Sequence, residues 1–347
     1  MSWTKVGSDI DGETTSDYSG WSVSLSSDGS VVAVGARDND GVNGGFSGHV
    51  RVYSWNGSVW TQRGADIDGE AASDQSGTSV SLSSDGSVVA VGAYLNDGNG
   101  SISGHVRVYS WNGSSWIQRG SDIYGEAAGD LSGYSVSLSS DGSVVAVGAP
   151  GNGGNGSLSG HVRVYIWNSG ANTWIQRGSD IDGEAAGDNS GTSVSLSSDG
   201  SVVAIGATGN DGNGSNSGHV RVYIWNSGTS TWDQRGSDID GEGAGDDSGS
   251  SVSLSSDGSV VAIGAAYNDG NGTTSGHVRV YSWNGSIWIQ RGSDIDGEAA
   301  SDLSGSSVSL SSDGSVVAIG AIYNHGVNGS TSGHVRVYKY STPPHTL

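Results

Sequence analysis

The hexapeptide Gly-His-Val-Arg-Val-Tyr stands at Gly48–Tyr53, Gly104–Tyr109, Gly160–Tyr165, Gly218–Tyr223, Gly276–Tyr281 and Gly333–Tyr338. Its histidines, His49, His105, His161, His219, His277 and His334, lie 56, 56, 58, 58 and 57 residues apart. A second segment, Ser-Leu-Ser-Ser-Asp-Gly-Ser, keeps the same phase through Asp28, Asp85, Asp141, Asp199, Asp257 and Asp313. The longer spacings come from turns: 168–173 and 226–231 hold six residues where Asn112–Ser115 holds four. A fixed period with length changes confined to Gly/Ser/Asn turns marks an array of one supersecondary unit.

Outward from the hexapeptide, each unit reads as four short strands. In the second unit Ser79–Leu82 alternates with period two, and Ser84-Asp85-Gly86 turns the chain. Val88–Gly92 is a small apolar run, as for a strand covered on both faces. A polar loop, Asn96–Ser103, leads to His105–Trp111, and Asn112-Gly113 turns into Trp116–Ile123. Asn-Gly and Asp-Gly supply the positive φ of hairpin turns. No segment has a 3.6-residue apolar period, so the chain reads as all-β. Four antiparallel strands per repeat of this length are the pattern of a propeller blade. The sixth repeat lacks its Trp-x-Gln-Arg-Gly-x-Asp-Ile strand, and the chain opens with Trp3–Ile10, which matches Trp60–Ile67. The expectation is a six-bladed β-propeller over residues 1–340, its ring closed by the N-terminal strand 3–10, with a tail at Ser341–Leu347.

Composition narrows the function. Lys+Arg is 14 against Asp+Glu 36, a net charge of −22 with no basic cluster, which argues against nucleic acid. No apolar run approaches the ~20 residues of a membrane helix, so no membrane insertion is expected. No secretory signal opens the chain as written. With Cys at 0, disulfides and thiolate chemistry are excluded.

Ser132–Leu138 and Val145–Pro150 resemble the FG-GAP repeat of integrin α-subunit heads and related extracellular propellers. The literal Gly-Ala-Pro occurs at Gly148-Ala149-Pro150, and Gly-Ala persists before Arg37, Tyr94, Thr208, Ala266 and Ile322. Ser-Gly replaces Phe-Gly throughout. The resemblance implies an extracellular or cell-surface propeller, with two departures. Integrin heads have seven blades, and their D-x-[DN]-x-D-G calcium loop is shortened here to Ser-Ser-Asp-Gly, so those calcium ligands do not carry over.

Reversing strands put the Asn-Asp-Gly-Asn-Gly loop and the acidic Asp-Ile-Asp-Gly-Glu loop on one face, the usual home of binding residues. The acidic loop supplies candidate calcium ligands: Asp9, Asp11, Glu13 and Asp17; Asp66, Asp68, Glu70 and Asp74; Asp122, Glu126 and Asp130, with Tyr124 in the second place. It continues with Asp180, Asp182, Glu184 and Asp188; Asp238, Asp240, Glu242 and Asp246; Asp294, Asp296, Glu298 and Asp302. Oxygen donors at alternate positions beside a Gly suit Ca²⁺. The competing account is that Asp and Ser cap backbone N–H groups and pair with nearby arginines. Arg51, Arg107, Arg163, Arg221, Arg279 and Arg336 fall in third strands, and Arg63, Arg119, Arg177, Arg235 and Arg291 in fourth, so they read as ties to loop carboxylates.

The tryptophans Trp55/Trp60, Trp111/Trp116, Trp167/Trp174, Trp225/Trp232 and Trp283/Trp288 flank hairpin turns, and Trp3 with Tyr340 would complete the set. They read as cross-strand packing or as a repeated sugar platform. The repeated histidine reads as a hydrogen-bonded structural residue. Catalytic sites bring unlike groups together, whereas Ser, His and Asp here recur identically, so the chain reads as non-enzymatic. Only Arg37, His325 and Lys339 fall out of phase. Eight Asn-x-Ser/Thr sequons, at Asn56, Asn99, Asn112, Asn155, Asn213, Asn271, Asn284 and Asn328, are also ordinary turn chemistry. The functional expectation is an adhesion or ligand-binding module of a larger extracellular protein, monomeric, taking a protein or glycan on its long-loop face. The alternatives are a multivalent lectin and a purely structural repeat domain.

Overall fold

Each Val-Val-Ala-Val/Ile-Gly-Ala run becomes the second strand of an antiparallel sheet, buried along its whole length in Val88–Ala93 and Val202–Ala207. The computed structural model describes residues 5–325, 329 and 331–341. They contain strands and no helix, in six sheets that are the blades of a β-propeller. The chain divides into two compact units, Met1–Asn152 with Arg163–Arg177 and Gly153–Val162 with Gly178–Leu347.

In the second blade, Ser79–Leu82, Val88–Ala93, His105–Trp111 and Trp116–Gln118 follow in order, each pairing antiparallel with the next. The segment expected as one fourth strand is broken. Trp116–Gln118 and the two-residue Ile123–Tyr124 both pair with His105–Trp111, at opposite ends of it. The break falls at Gly120, where φ is +68°, open to glycine at little cost. Arg119 N–H still reaches Val108 C=O at 2.7 Å. A Cβ on Gly120 would lie 3.2 Å from the Trp167 ring of the following blade, so the kink makes a seat for that indole.

Apolar packing lies between consecutive sheets. Val31, Ala33, Val50, Val52 and Ile67 of the first blade meet Leu82, Val89, Val91 and Tyr109 of the second. The same set recurs in the second unit, where Val202, Ala204, Val220, Val222 and Ile239 meet Leu254, Val261, Ile263 and Tyr281. Hydroxyls and glycines set the spacing. Ser193 Oγ donates to Gly249 C=O at 2.7 Å, and a Cβ on Gly206 would come within 2.1 Å of that oxygen. Ser79 with Gly92 against Gly133, and Ser251 with Gly264 against Gly305, repeat the arrangement. The Gly of Gly-Ala therefore faces the Gly of the next blade's Ser-Gly, with room only for hydrogen between them.

The expected closing strand 3–10 falls partly outside the described residues, because Trp3 and Thr4 carry its start. The last sheet holds three strands among the described residues, Ser304–Leu310, Val316–Ala321 and His334–Lys339. Lys5–Ile10 form no strand, while Trp3, Thr4 and the tail residues 342–347 lie outside the described residues. Elsewhere the fourth strand is only three or four residues long but is delivered by a hairpin turn such as Asn112–Ser115. Val23 and Leu25 in the first blade are 64% and 59% exposed, and Val335 and Val337 in the last are 69% and 57% exposed.

Candidate functional site

The acidic loop is built from its last carboxylate outward. Asp74 is buried, and its Oδ2 accepts the N–H groups of Glu70 (3.2 Å) and Ala71 (3.0 Å) and the Asn96 amide (3.0 Å). Asp17, Asp188 and Asp302 make the same kind of cap, as does Asp246. Asp130 accepts Glu126 and Ala127 N–H. Burial pushes the Asp17 carboxyl up, but the hydrogen bonds from Thr14, Asn39 and Glu13 outweigh it and leave the pKa lowered. These six residues hold loop backbone, as the capping account expects.

The second acidic position contributes its carbonyl. Arg51 donates through Nη2 to Asp11 C=O at 2.7 Å, and Arg221, Arg279 and Arg336 donate to Asp182, Asp240 and Asp296 C=O at 2.6 Å each. Arg107 reaches Asp68 C=O and Arg163 reaches Tyr124 C=O. Because the arginine reads backbone, Tyr124 is tolerated there. Four of the fourth-strand arginines turn to backbone instead of loop carboxylates: Arg63, Arg119, Arg235 and Arg291 donate to Gly86, Gly142, Gly258 and Gly314 C=O at 2.7–3.0 Å. That part of the expectation is corrected. A glycine carbonyl in the next blade's Asp-Gly turn lies within their reach.

The first acidic position and the glutamate meet at the histidine. Gln234 Nε2 donates to Asp238 Oδ1 at 2.6 Å, and Oδ2 lies 3.9 Å from His219 Nδ1. From the preceding loop, Glu184 sets Oε1 3.8 Å from Arg221 and Oε2 3.9 Å from the same His219 nitrogen. Glu13/His49/Asp66, Glu70/His105/Asp122 and Glu242/His277/Asp294 are assembled alike. His334 approaches Glu298 Oε2 at 3.5 Å. In the segment Lys5–Asp9, Lys5 stands in the place of the glutamine and pairs with Asp9 at 2.6 Å. Thus the four carboxylates of one loop are not gathered as one ligand set; the glutamate of one loop joins the first aspartate of the next.

The histidine is what the sequence reading missed. His49, His105, His219 and His277 are buried, and burial lowers the pKa of each, His105 to about 4. Register held the signal: His219 pairs with Asp240, two residues from Asp238. Tyr124 adds a difference, since its hydroxyl donates to Asp122 Oδ2 at 2.8 Å, raising its own pKa to about 12.

A second repeated feature lies beside this one. Ser179–Asp182 with Tyr223 and Trp232 line a crevice of about 230 Å³, and Ser237–Asp240 with Tyr281 and Trp288 line one of about 240 Å³. Equivalent crevices of about 250 and 210 Å³ carry Trp174 and Trp116. The paired tryptophans have ring centroids 5.1–5.4 Å apart. Trp116 and Trp288 donate their indole N–H to Arg63 and Arg235 C=O at 2.7 Å. Trp3, of the expected Trp3–Tyr340 pair, lies outside the described residues. Among the out-of-phase residues, the Arg37 guanidinium stacks on Trp21 at 3.3 Å.

The sequons serve the scaffold. Asn99, Asn155, Asn213 and Asn271 donate side-chain N–H to loop carbonyls at 2.8–2.9 Å. Asn56, Asn112 and Asn284 accept turn N–H groups, and Asn328 lies outside the described residues.

Among solved structures, the chain is similar to a 6-phosphogluconolactonase-named protein from Bacteroides uniformis: TM-score 0.61, 11% identity, 92% of this chain and 80% of that one covered. It is also similar to the hydrazine synthase of Kuenenia stuttgartiensis: TM-score 0.58, 14% identity, 96% and 80% covered. Identities this low show the fold alone. No curated protein matches the chain. The FG-GAP repeat matches residues 66–109 and 181–223, which lie in the second and fourth repeats of the chain.

Proposed function

We propose that the chain is a non-enzymatic, multivalent binding module of an extracellular protein, presenting the same surface from successive blades. The observation that carries this reading is repetition: the crevices beside Trp116, Trp174, Trp232 and Trp288 are each lined by an Asp-Ile pair, a tyrosine and the tryptophan. Identical weak sites on a rigid scaffold gain avidity without new contacts. The FG-GAP match supports the extracellular, adhesive setting. Binding to intact cell surfaces, before and after protease treatment or periodate oxidation, tests it. Protease-sensitive, periodate-resistant binding fits a protein ligand. Absence of binding to untreated surfaces refutes the reading.

A lectin is the second reading, favoured by the crevice chemistry. Tyr223, Trp232, Asp180 and Asp182 combine aromatic surface with carboxylates in a volume suited to one sugar ring. Periodate-sensitive binding, lost progressively as Trp116, Trp174, Trp232 and Trp288 are replaced, would select it.

A further inference from the structure

We propose that the Glu/His/Asp clusters each bind one divalent transition-metal ion of the zinc class, through histidine Nδ1 and one oxygen from each carboxylate. The donor set differs from the calcium reading, since it joins a glutamate of one acidic loop to an aspartate of the next through a histidine, and Asp238 also lines the crevice beside Trp288.

The argument begins with an orphaned nitrogen. Nδ1 of His105, His219 and His277 is buried and makes no hydrogen bond. In the His219 cluster, Glu184 Oε2 and Asp238 Oδ2 both stand 3.9 Å from that nitrogen. Around His105 the distances are 3.7 Å to Glu70 and 3.8 Å to Asp122. Such separations are too long for N–H···O bonds, which fall near 2.7–3.2 Å. They suit three donors around one ion. The three atoms lie within 4.8 Å of one another, so a point between them is about 2.1–2.5 Å from each, close to zinc–nitrogen and zinc–oxygen bond lengths.

Each donor is also oriented from behind. Arg221 holds the far oxygen of Glu184, and Gln234 holds the far oxygen of Asp238. Outer partners of this kind aim metal ligands. A nitrogen donor selects against Ca²⁺ and Mg²⁺, which take oxygen. The glutamate and aspartate side chains are 45% and 29% exposed, so water or a ligand group can complete the coordination.

One copy is an internal control. Tyr124 hydroxyl donates to Asp122 Oδ2, the oxygen that faces His105. That cluster should bind more weakly than the Glu184/His219/Asp238 cluster, and Y124F should strengthen it.

The test is equilibrium dialysis of the full chain against micromolar Zn²⁺, with visible absorption of Co²⁺ as the coordination readout. Bound zinc should be retained in millimolar Ca²⁺ or Mg²⁺, and E184Q or D238N should each lose one equivalent while keeping the wild-type circular dichroism. Because both replaced side chains are partly exposed and isosteric, misfolding is not the expected cause of loss; H219Q provides a third variant. Failure to bind Zn²⁺ at micromolar concentration, displacement by Ca²⁺, or unchanged stoichiometry in E184Q and D238N would each overturn the proposal.

Discussion

Replacing Gly206 with alanine should destabilise the second unit far more than the same change at Gly320, although both glycines occupy the same repeat position. Neither has a positive φ, so backbone strain does not enter. At Gly206 the new Cβ would stand 2.1 Å from Gly249 C=O, a backbone atom of the next blade. Ordinary contact begins near 3.4 Å, so that strand must retreat by about 1.3 Å. Overpacking of this kind costs ~1–3 kcal/mol. Displacing the Ser193 hydroxyl from Gly249 C=O adds ~1 kcal/mol. The sum is about 2–4 kcal/mol. At Gly320 the nearest atom is Ser307 Oγ at 2.4 Å, the end of a side chain that can rotate. There the clash is offset by the lower unfolded-chain entropy of alanine, leaving the variant within ~1 kcal/mol of wild type. Urea unfolding followed by tryptophan fluorescence would measure both, with slopes compared to check that the same transition is being read. Equal midpoints for the two variants would refute the claim that blade spacing is set at this glycine.

Other perturbations follow from the same contacts. Trp116→Phe removes the indole donor to Arg63 C=O and should cost ~1–3 kcal/mol in the first unit, measured by denaturant melts. Deleting residues 1–10 removes Val6 C=O, the acceptor for Trp60, and Gly7, on which the Trp55 ring packs, so the melting temperature should fall by several degrees; an unchanged melt would contradict this. The Ser-Ser-Asp-Gly turns should weaken in acid. Hydrogen bonds from Ser30 and Ser26 hold Asp28 at about 2, and those from Ser311 and Ser315 hold Asp313 there. Folded-state values below the ordinary carboxylate value mean stability present above about pH 4 and lost toward pH 2. Asp68 and Asp182, raised by burial, oppose this trend, so the comparison is wild type against Asp28→Asn, whose loss between those pH values should be smaller. Finally, Ca²⁺ should raise the melting temperature no more than Mg²⁺ at matched ionic strength, because the Asp17, Asp74 and Asp188 oxygens are already committed to caps.

The fold was legible because its determinants are local. Val-Val-Ala-Val-Gly-Ala is a buried strand wherever it occurs, and Asn112-Gly113 fixes the hairpin between Trp111 and Trp116 within four residues. The interruption at Gly120 was not legible. Glycine permits the positive φ found there but does not announce it, and the Trp167 ring that packs over Gly120 lies more than 40 residues away in sequence. The candidate site divides on the same line. Asp74 could be read as a cap, since the N–H groups it accepts are three and four residues away.

The Glu/His/Asp clusters are of the other kind. Glu184, His219 and Asp238 come from three segments of two consecutive repeats, and each alone reads as something ordinary: an exposed acid, a core histidine, a turn residue. What joins them is strand register. His219 opposite Asp240 sets the distance to Asp238, and Arg221, two residues on along the same strand, draws in Glu184 from the preceding loop. Since that register is fixed by the repeated Gly-His-Val-Arg-Val-Tyr strand, the cluster recurs wherever the strand and both neighbouring acidic loops are present. Departures such as Tyr124 then act on the cluster through a single hydrogen bond and leave the fold unchanged, because Arg163 reads the Tyr124 carbonyl and not its side chain. A repeat built this way can alter the chemistry of one blade without altering the blade.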